Sequence, residues 1–374
     1  MLNRYINKIA DLNNILDYHK EYLHQKQIIR DKADVIKNVQ WSDSQLKEYN
    51  EYWSRNYGYI PAVEHCKYYE SINGIYNYKY ISRALYARVI EPELNPVWLC
   101  NTYSEKCLQE LLLHGIQDVH VPKSYVSCAY RCYRVDDNYV SREQAGKTIA
   151  NIGVCLIKPS WYTSSGRNVR VLDLVNGIDQ KTGDSVDEIL SSYGAHFIVQ
   201  ELITPSKELK QLSPNSVNTF RVVTYMLDGT VYCGPVGFRI GVGDSITDNE
   251  SAGGYAAGVR NDGTLYSKAY NYERYDNYRQ FEKHPDSGVL LNGYYVGDVE
   301  RIKAIAKKAH SHFPGMGILA WDFTIDNNDQ VTFIEVNERY CGIDLNQIGT
   351  GECLFGEQTE KILKRFYKVK QIRL

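Results

Sequence analysis

Apolar residues recur every three or four positions in two parts of the chain. Ile6, Ile9 and Leu12 follow this spacing near the N-terminus, and a longer run of the same kind begins at Val299. A period near 3.6 residues is that of an amphipathic helix, so the pattern predicts a helix after Val299 and a helical segment over residues 1–56. Because that segment has few strong apolar clusters, we expect it to pack on the main body as a brace. An oligomer interface is the alternative.

Helix starts are marked by residues whose side-chain oxygen can accept a hydrogen bond from an unpaired backbone N–H. The strongest form is a serine followed three residues later by a glutamine, as at Ser42 with Gln45 and Ser141 with Gln144. The sequence predicts helices that start after Ser42, Ser104, Ser141, Asp184 and Asp298.

Apolar runs bounded by turn residues predict strands between and after these helices. The predicted strands cover residues 119–126, 153–159, 169–174, 196–203, 219–227, 230–240, 318–325 and 331–336. Asp228-Gly229 predicts a hairpin turn, whereas the polar, glycine-bearing residues 246–258 predict a loop. The sum is an α+β protein with two sheet-bearing lobes behind a helical N-terminus.

Composition excludes several classes of protein. The chain has 374 residues and a formal net charge of −2, which gives no field that would attract nucleic acid. No run approaches the roughly 18 consecutive apolar residues that a membrane helix needs, and the N-terminus lacks the apolar core of a signal peptide. Nine cysteines without a CxxC pair predict neither a zinc site nor a disulfide framework. We therefore expect a soluble protein of the reducing cytoplasm, with no membrane insertion.

Tyrosine is over-represented, with 32 residues. One stretch is especially dense and contains Tyr57, Tyr59, Tyr68, Tyr69, Tyr76, Tyr78 and Tyr80. We expect these rings to form a packed core whose hydroxyl groups reach water or the backbone. A surface that stacks on sugar rings is the alternative.

The sharpest chemical signal lies in the last two predicted strands. Glu335 and Asn337 are two residues apart and so share one face of a strand, and a hairpin would bring Asp322 opposite them. Two carboxylates and an amide oxygen form a site made only of oxygen, which suits Mg²⁺ shared with a substrate's phosphates rather than zinc. Apolar neighbours indicate burial, where unpaired carboxylates would be costly. Polar residues that merely face solvent are the alternative.

A lysine, Lys158, ends an apolar strand and precedes a run of small residues. Its ammonium and the backbone N–H groups of the following turn could surround phosphate oxygens, although a Lys-Pro pair at a strand end is more often an ordinary loop. Lys106, in the first turn of a predicted helix, is a weaker candidate of the same kind.

Taken in order, these pieces resemble the ATP-grasp superfamily, and more narrowly its sugar-transfer-associated branch. The similarity runs from about Tyr52 to Gln347. The segments that carry it are Lys106, Ile157-Lys158-Pro159, Val199-Gln200-Glu201-Leu202-Ile203, Ser216-Val217-Asn218-Thr219-Phe220-Arg221-Val222, Gly237-Phe238-Arg239, Asp248-Asn249, Gly253-Gly254, Asp322, and Glu335-Val336-Asn337.

The resemblance implies an ATP-grasp fold with ATP between the two lobes and Mg²⁺ on Asp322, Glu335 and Asn337. It also assigns roles to single residues. Implied contacts with ATP are Lys106 and Lys158 on the phosphates, Ser164, Ser165 and Gly166 in the lid, Glu201 and Ile203 near adenine, and Glu208 at the ribose.

Arg221 and Arg239 are implied to face the transferred phosphoryl group or an acidic substrate, because a guanidinium matches such groups in a bidentate way. For Arg221, a purely structural pair with a carboxylate such as Glu201 is the alternative. The lid departs from the family pattern: it has Gly166 alone where two or more glycines are usual. Gly253-Gly254 could instead shape the acceptor side.

The function implied by the resemblance is that of a carboxylate–amine ligase that forms an acyl phosphate. Its expected partners are a small-molecule or sugar-linked acid, an amine and enzymes of surface polysaccharide assembly. A phosphotransferase acting on a hydroxyl and a non-catalytic nucleotide-binding partner are the alternatives. The expected organisation is an N-terminal segment over residues 1–95, a first lobe over 96–205 with the lid and the adenine hinge, and a second lobe over 206–374 with the metal site.

Overall fold

A computed structural model of the protein describes residues 19–20, 22–161, 166–271 and 279–367. Ile6, Ile9 and Leu12, on which the first predicted helix rests, lie outside the described residues. Among the described residues, none of the helices combines the length and the apolar character needed to cross a membrane.

The strands form two sheets. In chain order they are β1 (Val119–His120), β2 (Ser124–Ala129), β3 (Cys132–Val135), β4 (Asn138–Val140), β5 (Val154–Pro159), β6 (Arg170–Val175), β7 (Ile178–Asp179), β8 (Phe197–Gln200), β9 (Phe220–Leu227), β10 (Thr230–Cys233), β11 (Val236–Ile240), β12 (Tyr255–Val259), β13 (Leu265–Asn271), β14 (Arg279–Phe281), β15 (Ile318–Ile325) and β16 (Val331–Asn337).

A seven-stranded sheet has the order β4-β3-β2-β8-β5-β6-β7, and a nine-stranded sheet has the order β1-β16-β15-β9-β11-β12-β13-β14 with β10 paired to β9. Neighbouring strands are antiparallel except β1 and β16, which are parallel. Two sheets behind an N-terminal helical segment confirm the predicted α+β architecture.

Helices cover the sheets and build the N-terminal segment. They are α1 (Ala33–Lys37), α2 (Asp43–Asn56), α3 (Glu64–Asn73), α4 (Arg83–Leu85), a π-helix (Tyr86–Ile90), α5 (Glu91–Leu94), α6 (Val97–Tyr103), α7 (Lys106–Leu113), α8 (Arg142–Ala150), α9 (Val186–Tyr193), α10 (Lys207–Leu212), α11 (Val299–His310), α12 (Asp344–Thr350) and α13 (Thr359–Arg365), with short 3₁₀ turns at Glu250–Ala252 and Gly356–Gln358.

Most of the predicted helix starts are confirmed. Ser42 and Ser141 cap α2 and α8 in full capping boxes, and Asp298 caps α11. Two predicted caps are wrong by one residue, because a better-placed acceptor follows each of them. Glu105 rather than Ser104 caps α7, and Ser185 rather than Asp184 caps α9.

Two predicted strands and one predicted loop are assigned wrongly. Residues 119–126 form two strands in different sheets, and residues 230–240 break into β10 and β11; each break contains a proline, which cannot donate to a ladder. Residues 255–258, predicted as loop, belong to β12. This strand is rich in small residues because α12 packs closely on it: a Cβ at Gly258 would lie 2.3 Å from the carbonyl oxygen of Gly349.

The tyrosine-rich stretch is mainly core, as expected. Tyr57, Tyr68, Tyr69 and Tyr80 are buried in an apolar cluster that joins the N-terminal helices to strands β9 and β15 and to α13. Tyr59 is exposed. The N-terminal segment therefore packs on the main body, which confirms that part of the brace hypothesis. The lobe boundaries at residues 95 and 205 stay a prediction.

Candidate active site

The hairpin of β15 and β16 builds the centre of the site. Its register places Asp322 opposite Glu335, and a bulge between Asp322 and Phe323 follows directly. The Asn337 amide nitrogen lies 3.4 Å from Asp322 Oδ2. The structure thus brings the three predicted metal ligands together on one face of the nine-stranded sheet.

Two arginines hold the Asp322 carboxylate. Arg221 lies opposite Asp322 on β9 and donates from Nε to Oδ1 at 2.8 Å and from Nη2 to Oδ2 at 3.0 Å. Arg239 on β11 donates from Nη1 to the same Oδ2 at 2.9 Å. Arg221 thus pairs with Asp322, not with the Glu201 carboxylate weighed as its alternative partner. Asp322 and Arg221 are buried and the Arg239 side chain is 11% exposed, so removal of the Asp322 carboxylate would leave two arginines without their shared partner.

Glu335 faces a second set of cations. Its Oε2 lies 3.4 Å from Lys106 Nζ, and Lys158 reaches the neighbouring Ile334 carbonyl oxygen at 3.4 Å. Burial would raise the pKa of Glu335, but the charges of Lys106, Lys158 and the two arginines overcome it and lower that pKa. Burial lowers the pKa of Lys158, although Glu110 opposes the shift. Four basic side chains therefore act on one carboxylate.

Gln109 and Glu110, on α7, belong to the site although no sequence motif marked them. The Gln109 side chain donates to the Val336 carbonyl at 2.9 Å and accepts from the Val336 N–H at 3.3 Å, as a neighbouring strand would. It thereby holds the β16 backbone between Glu335 and Asn337. Glu110 is the main negative charge acting on Lys158 and accepts a hydrogen bond from Ser124. Their only signal was their position on the helix that begins with Lys106.

The structure describes the two ends of the predicted lid but not its middle. Its predicted residues Ser164 and Ser165 lie outside the described residues, and Gly166 is the first residue described after that gap. Gly166 has φ +65°, and a Cβ there would lie 2.6 Å from Thr247 Cγ2 in the loop before β12. Only glycine meets both conditions. At the other end of the lid, the Ser160 carbonyl accepts from the Lys106 N–H at 2.8 Å.

The predicted adenine hinge follows β8. Glu201 pairs with His120 Nε2 at 2.7 Å, and His120 Nδ1 lies 3.1 Å from Asp326 Oδ2. Ile203 is half-buried, whereas Glu208, the expected ribose partner, is exposed in the first turn of α10. His120 was missed because its role depends on the parallel pairing of β1 with β16, which no local pattern indicates.

The hinge backbone is anchored to the nine-stranded sheet. The Ser206 N–H donates to the Ile325 carbonyl at 2.8 Å, and the Asn327 N–H donates to the Thr204 carbonyl at 2.9 Å. These bonds connect the end of the seven-stranded sheet to the turn between β15 and β16. The hinge and the hairpin of β15 and β16 are therefore linked directly by backbone hydrogen bonds.

The donor set fits Mg²⁺ with one condition. Glu335 and Asn337 can offer oxygens, since the Asn337 amide nitrogen faces Asp322 and leaves Oδ1 for a cation. The condition concerns Asp322, which can join them through Oδ1, since Oδ1 accepts one hydrogen bond from Arg221, whereas Oδ2 accepts from both arginines. No group of three or more His, Cys, Asp or Glu side chains suited to a metal occurs in the part of the chain that the structure describes. Nucleotide phosphates and water would complete the six oxygens that Mg²⁺ prefers.

A further carboxyl group behind the site has unusual protonation. Glu338 follows Asn337 directly and is buried. Burial raises the pKa of Glu338 to about 8, even though the charge of Lys106 opposes the shift. The sequence offered no signal for this effect, because Glu338 resembles any polar residue after a strand.

A model of the sugar-transfer associated ATP-grasp family matches residues 86–363, which is more than half of the chain. The chain belongs to that family. Curated proteins contain no significant match to the sequence. An ATP-grasp chain takes ATP with Mg²⁺, which agrees with the cations and oxygen donors gathered at Asp322 and Glu335.

Solved structures with a similar arrangement include several ATP-grasp ligases. The VanG D-Ala:D-Ser ligase from Enterococcus faecalis is 16% identical with a TM-score of 0.40, and the match covers 72% of this chain and 62% of that one. D-alanyl-alanine synthetase A from Vibrio cholerae is 11% identical with a TM-score of 0.42, over 73% and 66%.

The ATP-grasp ligase PsnB, complexed with a minimal precursor, Mg and ADP, is 13% identical with a TM-score of 0.39, over 71% and 60%. The ATP-grasp chain described here thus spans less than two thirds of the length of these neighbours. Its family assignment rests on the family model.

Proposed function

We propose that this ATP-grasp chain is an ATP-dependent ligase that joins a carboxylic acid to an amine. In the first step the acid's carboxylate attacks the γ-phosphorus of ATP, which gives an acyl phosphate and ADP. In the second step the amine displaces phosphate from the acyl carbon. The observation that carries the proposal is the set of four basic side chains around the Asp322–Glu335 pair, because such a set meets the charge of a triphosphate with its metal.

The described residues support a division of roles within this site. Lys106 and Lys158 would bind the phosphates, with Gly166, Ser164 and Ser165 forming the lid. Mg²⁺, held by Asp322, Glu335 and Asn337, would supply charge neutralisation between neighbouring phosphate oxygens.

At the hinge, the segment from Glu201 to Ile203 would bind adenine through its backbone and apolar surface. Glu208 would serve the ribose, in keeping with its exposed position in the first turn of α10. Closure of the lid would exclude water from the acyl phosphate, which is prone to hydrolysis.

The two arginines would differ in role. Arg221 uses Nε and Nη2 on Asp322 and so keeps the metal ligand oriented. Arg239 uses Nη1 alone on Asp322, and its buried Nε lies 4.0 Å from Glu250 Oε2 with no hydrogen bond among the described residues. Arg239 therefore holds Asp322 through one nitrogen where Arg221 uses two, and we infer that Arg239 is the catalytic one of the two.

The family description supports a substrate linked to sugar transfer. We infer a sugar-linked carboxylate as the acid and an amino acid or another amine as the acceptor, in surface polysaccharide or capsule assembly in the cytoplasm. Enzymes of that assembly would be its protein partners.

The test is incubation of the purified protein with Mg-ATP and a panel of uronic acids and amino acids, followed by mass spectrometry. We expect ADP, phosphate and a product with the combined mass of acid and amine less one water. AMP and pyrophosphate would contradict the acyl phosphate. A stable phosphorylated product formed without amine would instead identify a phosphotransferase. Binding of Mg-ATP without turnover on any acceptor would identify a non-catalytic nucleotide-binding partner.

A further inference from the structure

A small cavity lies directly behind the carboxylate hairpin. It comprises about 230 Å³ of space not filled by protein atoms, counted with its open mouth. Its lining includes Arg83, Tyr86, Glu91, Tyr340, Cys341 and Gly342. Because this figure includes open solvent at the mouth, the enclosed space is much smaller and suits one group about the size of a water molecule or an ammonium.

The floor of the cavity is a buried carboxyl group with an unmet hydrogen bond. Glu91 is fully buried, and its Oε1 accepts from the Tyr86 hydroxyl at 3.1 Å and from the Cys341 N–H at 3.2 Å. Within the described part of the chain, Glu91 Oε2 has no hydrogen-bond partner. A buried acceptor without a partner is costly to the folded state, so its presence beside a cavity points to a ligand that supplies the missing donor.

The cavity is joined to the proposed metal site by a single residue. Cys341 donates its N–H to Glu91, and its Sγ contacts the Asn337 carbonyl oxygen at 3.1 Å. The opposite wall comes from the π-helix Tyr86–Ile90, a distortion that occurs often at functional sites. A group bound at Glu91 would therefore sit next to the strand that carries Glu335 and Asn337.

We propose that this cavity receives the ammonium group of the acceptor amine, with the Glu91 carboxylate as its partner. A primary ammonium supplies three donors and a positive charge, which match the unpaired Oε2. The cation in the lining itself, Arg83, is paired with Asp344 at 3.2 Å and so does not serve Glu91 in this structure. This inference rests on the proposed ligase function, because only a ligase needs an amine at this place.

Direct binding of a small amine tests the proposal without any turnover. The probe is ethanolamine hydrochloride, titrated at neutral pH into the folded chain with Mg-ADP and followed by saturation-transfer NMR. Ethylene glycol, in which a hydroxyl replaces the ammonium, is the matched ligand control. We expect saturable binding of ethanolamine, at least tenfold weaker binding to Glu91→Gln, and unchanged binding to Glu93→Gln, whose side chain is exposed two residues away.

A second variant blocks the cavity without changing Glu91. A Cβ at Gly342 would meet no atom within 4 Å, so Gly342→Val adds volume at the lining without a clash at its Cβ. Thermal unfolding of each variant verifies that it is folded. We expect Gly342→Val to lose ethanolamine binding as Glu91→Gln does.

Two outcomes would overturn the proposal: absence of saturable ethanolamine binding to the wild type, or equal binding to Glu91→Gln and wild type. Because the measurement needs no hydrolysis of ATP, it is independent of the ligase assay. Binding that depends on Glu91 in a chain that forms no amide would refute the ligase and leave the ammonium site. If Glu91→Gln and the wild type formed the amide with the same KM for the amine, the ligase function would stand and the ammonium site would be refuted.

Discussion

The proposed ATP site has two ends, and the central ion pair of one end is more deeply buried than that of the other. At the phosphate end, which comprises Asp322, Glu335 and their basic partners, the side chains of the Asp322–Arg221 pair are 3% and 5% exposed, whereas that of Glu335 is 29% exposed. At the hinge end, which comprises Glu201, His120 and Asp326, the side chains of the His120–Glu201 pair are 28% and 27% exposed, whereas that of Asp326 is 4% exposed. Removal of one partner from a buried ion pair leaves the other charge without compensation. In a half-exposed pair, water can replace the lost partner.

This difference indicates what each end contributes. The phosphate end is preorganised, because its charges are held in place by the folded sheet before any ligand arrives. The hinge end depends mainly on backbone bonds that anchor residues 201–206 to the β15–β16 turn. Mutations at the phosphate end should therefore affect folding and chemistry together, and mutations at the hinge end should have small effects on both.

The largest effect is expected for Asp322→Asn. The change leaves Arg221 and Arg239 buried without their carboxylate, so we expect the free energy of unfolding to fall by about 3–5 kcal/mol in urea denaturation. Asp329→Asn is the matched control, since the Asp329 side chain is 87% exposed, and it should change stability by less than about 0.5 kcal/mol. Equal losses in the two variants would show that burial does not separate the phosphate end from the surface.

The next effect concerns pH and Glu338. Its pKa is about 8 in the folded protein and 4.5 when unperturbed, so between these values the folded state binds the proton and the unfolded state releases it. The stability from this proton is complete below pH 4.5 and is lost as the pH rises through 8.

Unfolding measured from pH 5 to 8 should thus show the wild type losing stability relative to Glu338→Gln. The loss should be at most about 1.4 kcal/mol per pH unit. Parallel pH profiles for the two proteins would refute this assignment.

The third prediction separates metal from nucleotide. We expect Glu335→Gln to weaken Mg-ATP binding at least tenfold, which corresponds to about 1.4 kcal/mol, in isothermal titration calorimetry. With a chelator present the two proteins should differ much less, because the lost carboxylate serves the cation. Glu357→Gln, at an exposed position, is the control. If the affinity for the nucleotide fell by the same factor with and without Mg²⁺, Glu335 would only position the neighbouring lysines and would not bind the metal.

The smallest effect is expected at the hinge end. His120→Gln removes a half-exposed contact between Glu201 and Asp326, so stability should fall by about 1 kcal/mol or less. Steady-state kinetics should show the KM for ATP raised a few-fold with kcat nearly unchanged. A large loss of kcat would place His120 with the phosphate end and remove the contrast between the two ends.

Local pattern was sufficient wherever the deciding contacts are close in sequence. The capping boxes at Ser42 and Ser141, the helix after Asp298 and the hairpin that sets Asp322 against Glu335 all follow from spacing over a few residues. The α+β class and the grouping of Asp322, Glu335 and Asn337 could therefore be predicted from the amino-acid sequence.

Tertiary structure alone decided the features that depend on distant neighbours. The pairing of Arg221 and Arg239 with Asp322 spans 101 and 83 residues, and the contact of Gln109 with Val336 spans 227. Burial likewise set the protonation of Glu338 and left Glu91 Oε2 without a partner. Sequence spacing specifies which face of a strand or helix a residue occupies, but the dielectric and the partners on that face are set by which other elements pack there.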